Sequence, residues 1–421
     1  MEEDNSSVIT SSLIVKSGVS MASYDSNNNE EEELLLLQTQ HSSPVTLRVI
    51  FSSLVAVCGS YVYGHAVGYS SPAETGIIED LGLTTAEYSV FSSILTIGAM
   101  LGAVLSGRIA DLIGRRGAMG ISQMFCISGW LAMIFSKDAE WLDIGRFVLG
   151  FGIGLVSYAV PIYIAEITPK HVRGSFTALN PLLMGFGQSF AFLFGSLINW
   201  RILALIGIIP GVIQLPGLFF VPESPRWLAK VGRMKDFEAA LQILRGENAD
   251  ISEEAAEIRD YTNFFSVSQI SGDGFLNMFQ RKYVHSLIVG VGLIVFQRFG
   301  GLYGFIFYAS SIFESAGFSS RIGTIAAAIV QIITTALGVV LVDRSGRRPM
   351  LLISTTGACL GCLITGLAFV FKDPNCGGEL SAILVLIGVL AYLGFLQLGL
   401  GGIPWIIMSE EYSSFTVPFV A

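Results

Sequence analysis

The chain has 421 residues, of which 52% are apolar and only 14% are charged, and its mean hydropathy is +0.64. Soluble proteins carry about 25% charged residues, so this composition excludes a disordered protein and argues against a soluble enzyme of several domains. The formal net charge of −9 argues against nucleic-acid binding.

Residues 1–44 are polar and rich in Ser and Asn, and we expect them to form a disordered cytoplasmic tail. An acidic run, Glu30–Glu33, stands directly before Leu34 and Leu35 and matches an acidic di-leucine sorting signal. The alternative is a solvated acidic tail with a chance leucine run. The start of the chain is acidic and lacks an apolar core segment, so it predicts no cleavable signal peptide.

Ten apolar stretches follow the tail. They cover approximately residues 47–69, 87–107, 117–136, 142–165, 175–198, 201–221, 284–309, 322–342, 349–371 and 382–408. A membrane helix needs about 20 apolar residues, and lipid requires the backbone groups of a spanning segment to pair with one another. The stretches therefore predict an all-α polytopic membrane protein.

The basic residues predict the orientation of these segments. Most Lys and Arg residues lie after the second, fourth, sixth and eighth stretches, and loops rich in Lys and Arg stay in the cytoplasm. Apolar residues at helical spacing, such as Phe237 and Leu241, predict short amphipathic helices in the longest loop. The sequence then divides into a six-helix bundle at 45–221, a cytoplasmic helical linker at 222–283, a truncated four-helix bundle at 284–408 and an atypical tail at 409–421.

Two motifs occur once in each half. Asp111–Arg116 and Asp343–Arg348 both read D-x-x-G-R-R between two apolar stretches. A Pro followed by a Glu recurs near the ends of the fourth and tenth stretches, as Pro161–Glu166 and Pro404–Glu410. The shared order predicts an internal repeat, a plan by which secondary transporters hold a substrate between two halves.

The repeated charges have two interpretations. They can anchor short turns at the cytoplasmic lipid surface, or they can form a latch whose ion pairs make and break as the halves close and open. We favour the latch because the motif appears once per half. The candidate gating residues are Arg108, Asp111, Arg115, Glu166, Arg173, Asp343, Arg347 and Glu410.

With these motifs the chain resembles the sugar-porter branch of the major facilitator superfamily. The matching elements are Gly107–Arg116, Arg146, Pro161–Pro169, Arg173–Gly174, Pro222–Leu228, Asp343–Arg348 and Gly402–Trp405. Gly64–Pro72, together with the acidic di-leucine tail, is most similar to the plant early-responsive-to-dehydration-like monosaccharide transporters. The resemblance implies a major facilitator fold, a hexose-type substrate and a vacuolar membrane location, with the plasma membrane second.

The resemblance also implies a sugar site. Sugars need amide side chains that donate and accept hydrogen bonds, and an aromatic face; Gln297, Trp405 and, less directly, Gln188 match the family's positions. An interhelical hydrogen bond is the alternative role for a glutamine in a membrane helix. The chain departs from the family at three binding positions, which are Pro181, Arg298 and Tyr303.

Arg298 is the most unusual of these departures. A charge on a membrane helix costs about 2.5–3.5 kcal/mol on insertion scales, so it should face water or a partner. We expect Arg298 either to project into the cavity and favour a substrate with partial negative charge, or to occupy a cavity that stays wet.

The residues of the first segment bear on energy coupling. Proton-driven members of the family keep a carboxylate there, close to the Arg of the fourth segment. This chain has Ala66 at that position, so Arg146 lacks a matching acid. We therefore expect facilitated diffusion, with proton symport as an alternative. His65 titrates in a suitable range, but a packed polar residue is the more common role.

The end of the chain differs from the family pattern. The family has a Pro and a basic-Gly pair after Glu410, whereas this chain reads Ser413–Ala421. We expect either a working uniporter or a non-transporting isoform that regulates, competes with or pairs with full-length homologues. No nucleophile–base pair, metal cluster or phosphate-binding loop is recognisable, so we expect no enzyme, cofactor or metal. The expected partners are a monosaccharide and the lipid bilayer.

Overall fold

Helices account for all the regular secondary structure in the part of the chain that the computed structural model describes, namely residues 45–270, 281–371 and 378–404. The first half contains α1 (Leu47–Gly68), α2 (Ser70–Leu81), α3 (Thr85–Ile134), α4 (Ala139–Ile167), α5 (Arg173–Thr177), α6 (Leu179–Gly195) and α7 (Trp200–Gly217). The linker contains α8 (Pro225–Lys230), α9 (Met234–Arg245) and α10 (Ser252–Ile270). The second half contains α11 (Arg281–Phe299), α12 (Leu302–Phe307), α13 (Ala309–Ala316), α14 (Ser320–Ser345), α15 (Arg347–Val370), α16 (Gly378–Phe395) and a π-helical turn at Leu396–Leu400.

Within the described residues, seven helices are long and apolar enough to cross a membrane. They are Leu47–Gly68, Thr85–Ile134, Ala139–Ile167, Trp200–Phe220, Ser320–Val342, Arg347–Val370 and Leu380–Leu400. The all-α multi-pass architecture is thus confirmed, whereas the division into six and four segments is not.

The difference in number has local causes. Two predicted segments, 87–107 and 117–136, both fall within α3, which leaves helical geometry at Gly114. The stretch 175–198 contains α6, which has only 17 residues. The stretch 284–309 is split between α11 and α12 at Gly301, whose φ of 87° ends the first helix.

Helices α1 and α6 pack backbone against backbone. A Cβ atom placed on Gly64 would lie 1.8 Å from the carbonyl oxygen of Met184, and one on Gly187 would lie 2.3 Å from the carbonyl oxygen of Tyr61. Small residues allow this close approach between membrane helices. The contact brings the side chains of α6 next to those of α1 and so forms one wall of the central cavity described below.

The linker helices are fastened to the first half. Phe237 and Leu241 are fully buried, as the amphipathic pattern predicts. Arg245 is only 2% exposed; it pairs with Glu254 at 2.6 Å and donates to the carbonyl oxygen of Ile167 at 2.8 Å. The linker therefore satisfies a backbone carbonyl at the end of α4, a group that a helix end leaves without an intrahelical partner.

Candidate functional site

A central cavity of about 80 Å³ lies between the two halves, where α1 and α6 face α11, α12 and the π-helical turn. Gln188, Gln297 and Arg298, three of the four predicted substrate-binding residues, line this central cavity. Pro181 and Tyr303, the other two departures from the family pattern, also line it. The structure thus brings into one place residues that sequence matching had assigned to separate segments.

Both cavity glutamines are buried and retain hydrogen-bonding capacity. Gln297 is 4% exposed and donates from Nε2 to the carbonyl oxygen of Leu400, but its Oε1 has no partner among the described residues. Gln188 is 6% exposed, and its Nε2 likewise has no partner in the described part of the chain. Because buried polar atoms are normally paired, an acceptor on one half and a donor on the other are available to a ligand.

Arg298 is held by aromatic side chains. It donates from Nη1 to the hydroxyl of Tyr303, and its guanidinium carbon lies 4.8 Å from the centroid of the same ring. Tyr63 of α1 lies beside the same guanidinium. The arginine therefore projects from α11 towards the opposite half, and its guanidinium lies at the cavity wall.

A larger cavity of about 640 Å³ continues from the central one. Both are lined by Pro181, Gln397 and Gly401, and the larger cavity reaches Gly346 and Arg347 at the turn predicted to be cytoplasmic. We call it the vestibule. A route of this size on one side is what a carrier open to that side requires.

On the opposite side the two halves touch through α2 and α13. The hydroxyls of Ser71 and Ser310 lie 2.9 Å apart, and Ser311 donates to Glu74 at 3.0 Å. Glu74 is 5% exposed, and its second carboxylate oxygen has no partner among the described residues. These contacts close the interface at the end away from the vestibule.

Arg115 is the centre of an ion-pair network at the turn of the first half. It binds Glu166 with two hydrogen bonds of 2.9 and 3.1 Å and Asp111 with one of 3.0 Å. Ser224 of the linker also donates to Glu166, at 2.6 Å, and Lys230 pairs with Asp111 at 2.9 Å. The network joins the first half to the linker, and none of these five residues lies in the second half.

The backbone of the turn that contains Arg115 also binds a carboxylate, that of Glu223 in the linker. Glu223 accepts hydrogen bonds from the backbone N–H groups of Arg115 and Arg116, at 3.0 and 3.1 Å. Burial raises the pKa of the Glu223 carboxyl, and these backbone donors oppose the increase. A Cβ on Gly114 would lie 2.3 Å from Oε2 of Glu223, so the glycine makes room for the carboxylate.

The other predicted gating residues are dispersed. Arg108 is exposed on α3, Arg173 is half-buried beside the linker, and Arg347 lines the vestibule. Asp343 belongs to α14, but its side chain is not among those described. Trp405, the fourth predicted substrate-binding residue, and the predicted gating residue Glu410 lie outside the described residues.

Arg146 is fully buried in the first half without a carboxylate partner among the described residues. It donates to the hydroxyl of Ser70, and its guanidinium lies 4.8 Å from the ring of Phe91. His65 is also fully buried, with Nε2 3.1 Å from the carbonyl oxygen of Leu203. Neither side chain lines the central cavity.

Sequence reasoning missed two carboxylates. Glu223 belongs to a motif that matched the family but received no role, and Glu74 was not considered. An acidic residue close to the end of an apolar stretch was the available signal for Glu74, because a carboxylate there must find water or a hydrogen-bond donor.

The fold and the cavity between repeated halves define a membrane carrier, and the sequence comparisons identify its family. Residues 5–416 match the family described as "Sugar (and other) transporter", and the chain belongs to this family. Its relatives include three proteins of Arabidopsis thaliana. Sugar transporter ERD6-like 7 is 52% identical over 86% of this chain and 78% of its own length. Sugar transporter ERD6-like 16 is 51% identical over 87% of this chain and 76% of its own length. Sugar transporter ESL1 is 48% identical over 87% of this chain and 78% of its own length.

Solved structures show the same fold. A partially occluded inward-open form of the xylose transporter XylE from E. coli superposes with a TM-score of 0.71 at 22% identity, over 88% of this chain and 89% of that one. A second structure shows XylE, a proton:xylose symporter of the major facilitator superfamily, bound to 6-bromo-6-deoxy-D-glucose. It also superposes with a TM-score of 0.71, at 24% identity over 86% of this chain and 82% of that one. The predicted family and the prediction that the chain is not an enzyme are confirmed, since its relatives are sugar transporters.

Proposed function

We propose that this protein moves a monosaccharide across a membrane by alternating access, with the central cavity as its binding site. The observation that carries the proposal is the pair of buried glutamines, Gln188 from the first half and Gln297 from the second, each with an amide atom unpaired among the described residues. A sugar hydroxyl both donates and accepts hydrogen bonds, so one ligand satisfies both atoms. Binding at an interface between halves also links occupancy to their relative movement.

The contacts at the two ends of the interface support the same mechanism. The vestibule leads from the central cavity to one side, and the Ser71–Ser310 and Glu74–Ser311 contacts join the halves at the other. We assign the arrangement to a state open to the cytoplasm, following the orientation that the basic loops predict. Transport then requires the Ser71–Ser310 and Glu74–Ser311 contacts to break while the vestibule closes.

We infer facilitated diffusion rather than symport. The first segment offers Ala66 where proton-driven members of the family have a carboxylate, and Arg146 contacts a hydroxyl and aromatic rings instead. His65 is packed against a backbone carbonyl. If an imposed pH gradient made proteoliposomes accumulate sugar above its outside concentration, and a protonophore abolished that accumulation, the symport alternative would replace this inference.

We further infer a six-plus-four arrangement of membrane segments and a vacuolar membrane location. The repeated D-x-x-G-R-R turn and the two helical stretches within α3 support the first inference. The acidic di-leucine run supports the second. Cysteine-accessibility mapping of the loops tests the number of membrane segments, because two loops separated by an odd number of segments lie on opposite sides of the membrane.

Counterflow of a labelled hexose in proteoliposomes tests the transport function. Replacing Gln297 with Ala should reduce exchange about fivefold or more, because a lost hydrogen bond to a buried ligand group costs about 1–3 kcal/mol. Gln214→Ala is the matched control: Gln214 is equally buried, bonds the carbonyl oxygen of Ala56 at 3.3 Å and does not line the central cavity. Equal activity of the two variants would contradict the assignment of the cavity as the binding site.

A further inference from the structure

The charges along the substrate route have a single sign among the described lining residues. The charged side chains among them are Arg298 and Arg347, and no described lining residue is Asp or Glu. Arg298 lines the smaller, central cavity, where a buried positive charge favours anions over cations.

Arg298 has neutral partners. The Tyr303 hydroxyl accepts a hydrogen bond from Nη1, the Tyr303 ring lies against the guanidinium and the Tyr63 hydroxyl also bonds it, but neither tyrosine supplies a full negative charge. Among the described residues, no carboxylate lies within ion-pair distance of Arg298. A guanidinium has five N–H donors in a planar fork that matches a carboxylate, so donors remain for a ligand.

The neighbouring glutamines complete the site. The unpaired Nε2 of Gln188 and the unpaired Oε1 of Gln297 line the same 80 Å³ cavity as the guanidinium. The chain therefore offers one cation, one neutral donor and one neutral acceptor. A monosaccharide that carries a carboxylate presents complementary groups, namely an anion and several hydroxyls.

From this complementarity we propose that the substrate is a sugar acid, such as a uronate, and that Arg298 binds its carboxylate. The inference rests on the proposed transport function, and it names the chemical class of the substrate. Tyr303 positions the guanidinium through its hydroxyl and its ring, and Tyr63 does so from the opposite half. A neutral hexose offers hydroxyls to the same glutamines but leaves the arginine without a counter-ion, so it binds less tightly.

A purely structural role for Arg298 makes a different prediction. If the arginine only bridged the two halves through Tyr63 and Tyr303, its replacement would impair neutral and acidic sugars to the same degree. Charge selectivity is therefore the measurement that separates the two roles. The dependence of transport on membrane potential is a second one, because a carried anion moves net charge whereas a neutral sugar does not.

The experiment is counterflow with the full chain in liposomes, with glucose, glucuronate and glucose 6-phosphate as competing substrates at one pH. Wild type should prefer glucuronate to glucose at least tenfold, and, in a separate measurement of net uptake, an imposed membrane potential should change the uptake of glucuronate only. Arg298→Gln should lose the preference while retaining glucose exchange, and Arg298→Lys should keep part of it. Arg321→Gln, a change of an exposed arginine on α14 that lines neither cavity, serves as the control and should behave as wild type.

The outcomes separate the two levels of the argument. Glucose exchange without a preference for glucuronate in wild type, or an unchanged preference in Arg298→Gln, would overturn the inference and leave the transport function standing. Stronger competition by glucose 6-phosphate than by glucuronate would overturn the carboxylate assignment in favour of a phosphate. Failure to exchange any of the three substrates would overturn the proposed function itself.

Discussion

Gly114 and Gly346 adopt nearly the same backbone conformation, with φ and ψ of 87° and 168° in the first half and 81° and 163° in the second. Both are the glycine of a D-x-x-G-R-R turn. This combination of angles is essentially restricted to glycine, so the two halves share a turn conformation as well as a motif. Only the first turn has a carboxylate against its glycine, because Glu223 occupies the space beside Gly114 while nothing described lies within 4 Å of a Cβ at Gly346.

The paired glycines allow a matched test of that difference. Gly346→Ala should lower the free energy of unfolding by about 1–3 kcal/mol, the usual cost of this backbone conformation for other residues. Gly114→Ala should cost more, because its Cβ would also displace the Glu223 carboxylate. Thermal unfolding of the two variants in detergent measures the difference. Equal destabilisation would show that Glu223 moves aside without loss.

The Arg115–Glu166 pair should be worth far more than a surface pair. Their side chains are only 9% and 13% exposed, and removing one partner of a buried pair costs about 3–5 kcal/mol, of which the remaining contact of Arg115 with Asp111 recovers a part. Glu166→Gln should therefore strongly destabilise the first half and loosen the linker. Asp236→Asn is the control, since Arg233 and Asp236 are 58% and 53% exposed and such pairs contribute about 0–1 kcal/mol. Similar melting temperatures for the two variants would contradict this ranking.

Glu74 should make transport sensitive to pH on the side away from the vestibule. Glu74 lies on α2, outside the membrane span Leu47–Gly68. Burial raises the pKa of its carboxyl. The hydrogen bond from Ser311 opposes this increase, and the charge of Glu314 adds to it. The titratable groups described near it on other helices are Glu314 of α13 and Tyr88 of α3. The closed contact therefore binds a proton more readily than the open one, so its stability rises as pH falls and decreases as pH rises through the raised pKa.

The measurement is the exchange rate as the pH on that side is varied and the opposite pH is kept constant. Wild type should slow several-fold on acidification. Glu74→Gln should exchange slowly at every pH, because a neutral amide can remain buried without a proton. Glu79→Gln, a change of an exposed residue on the same helix, should keep the wild-type profile. A pH profile that survives in Glu74→Gln would place the titrating group elsewhere.

The acidic di-leucine run should direct the protein to the vacuolar membrane. Leu34 and Leu35 follow four consecutive glutamates in a segment outside the described residues. Replacing both leucines with Ala should shift a fluorescently tagged protein to the plasma membrane, because the sorting signal would be lost while the membrane segments stay intact. Replacing Leu36 and Leu37 instead controls for apolarity. An unchanged vacuolar pattern would mean that the signal lies elsewhere in the chain.

The membrane class, the family, the helical linker and several candidate site residues could be predicted from the sequence, because those properties depend on composition, local periodicity and short motifs. Gln188, Gln297 and Arg298 could be chosen in this way. The shortness of α6 and the break of the seventh stretch at Gly301 could not, since a helix ends where its backbone geometry breaks rather than where its hydropathy falls.

Which of these residues lie in contact could be seen in the folded structure alone. It placed Pro181, Arg298 and Tyr303 around one cavity, paired Arg115 with Glu166 within a single half, and revealed Glu74 at the contact between α2 and α13. The physical reason is that spacing along a helix fixes the face on which a side chain lies, whereas its neighbour across the cavity depends on how closely whole helices approach. That approach is set by distributed packing, such as the glycine contacts between α1 and α6, which no local pattern specifies.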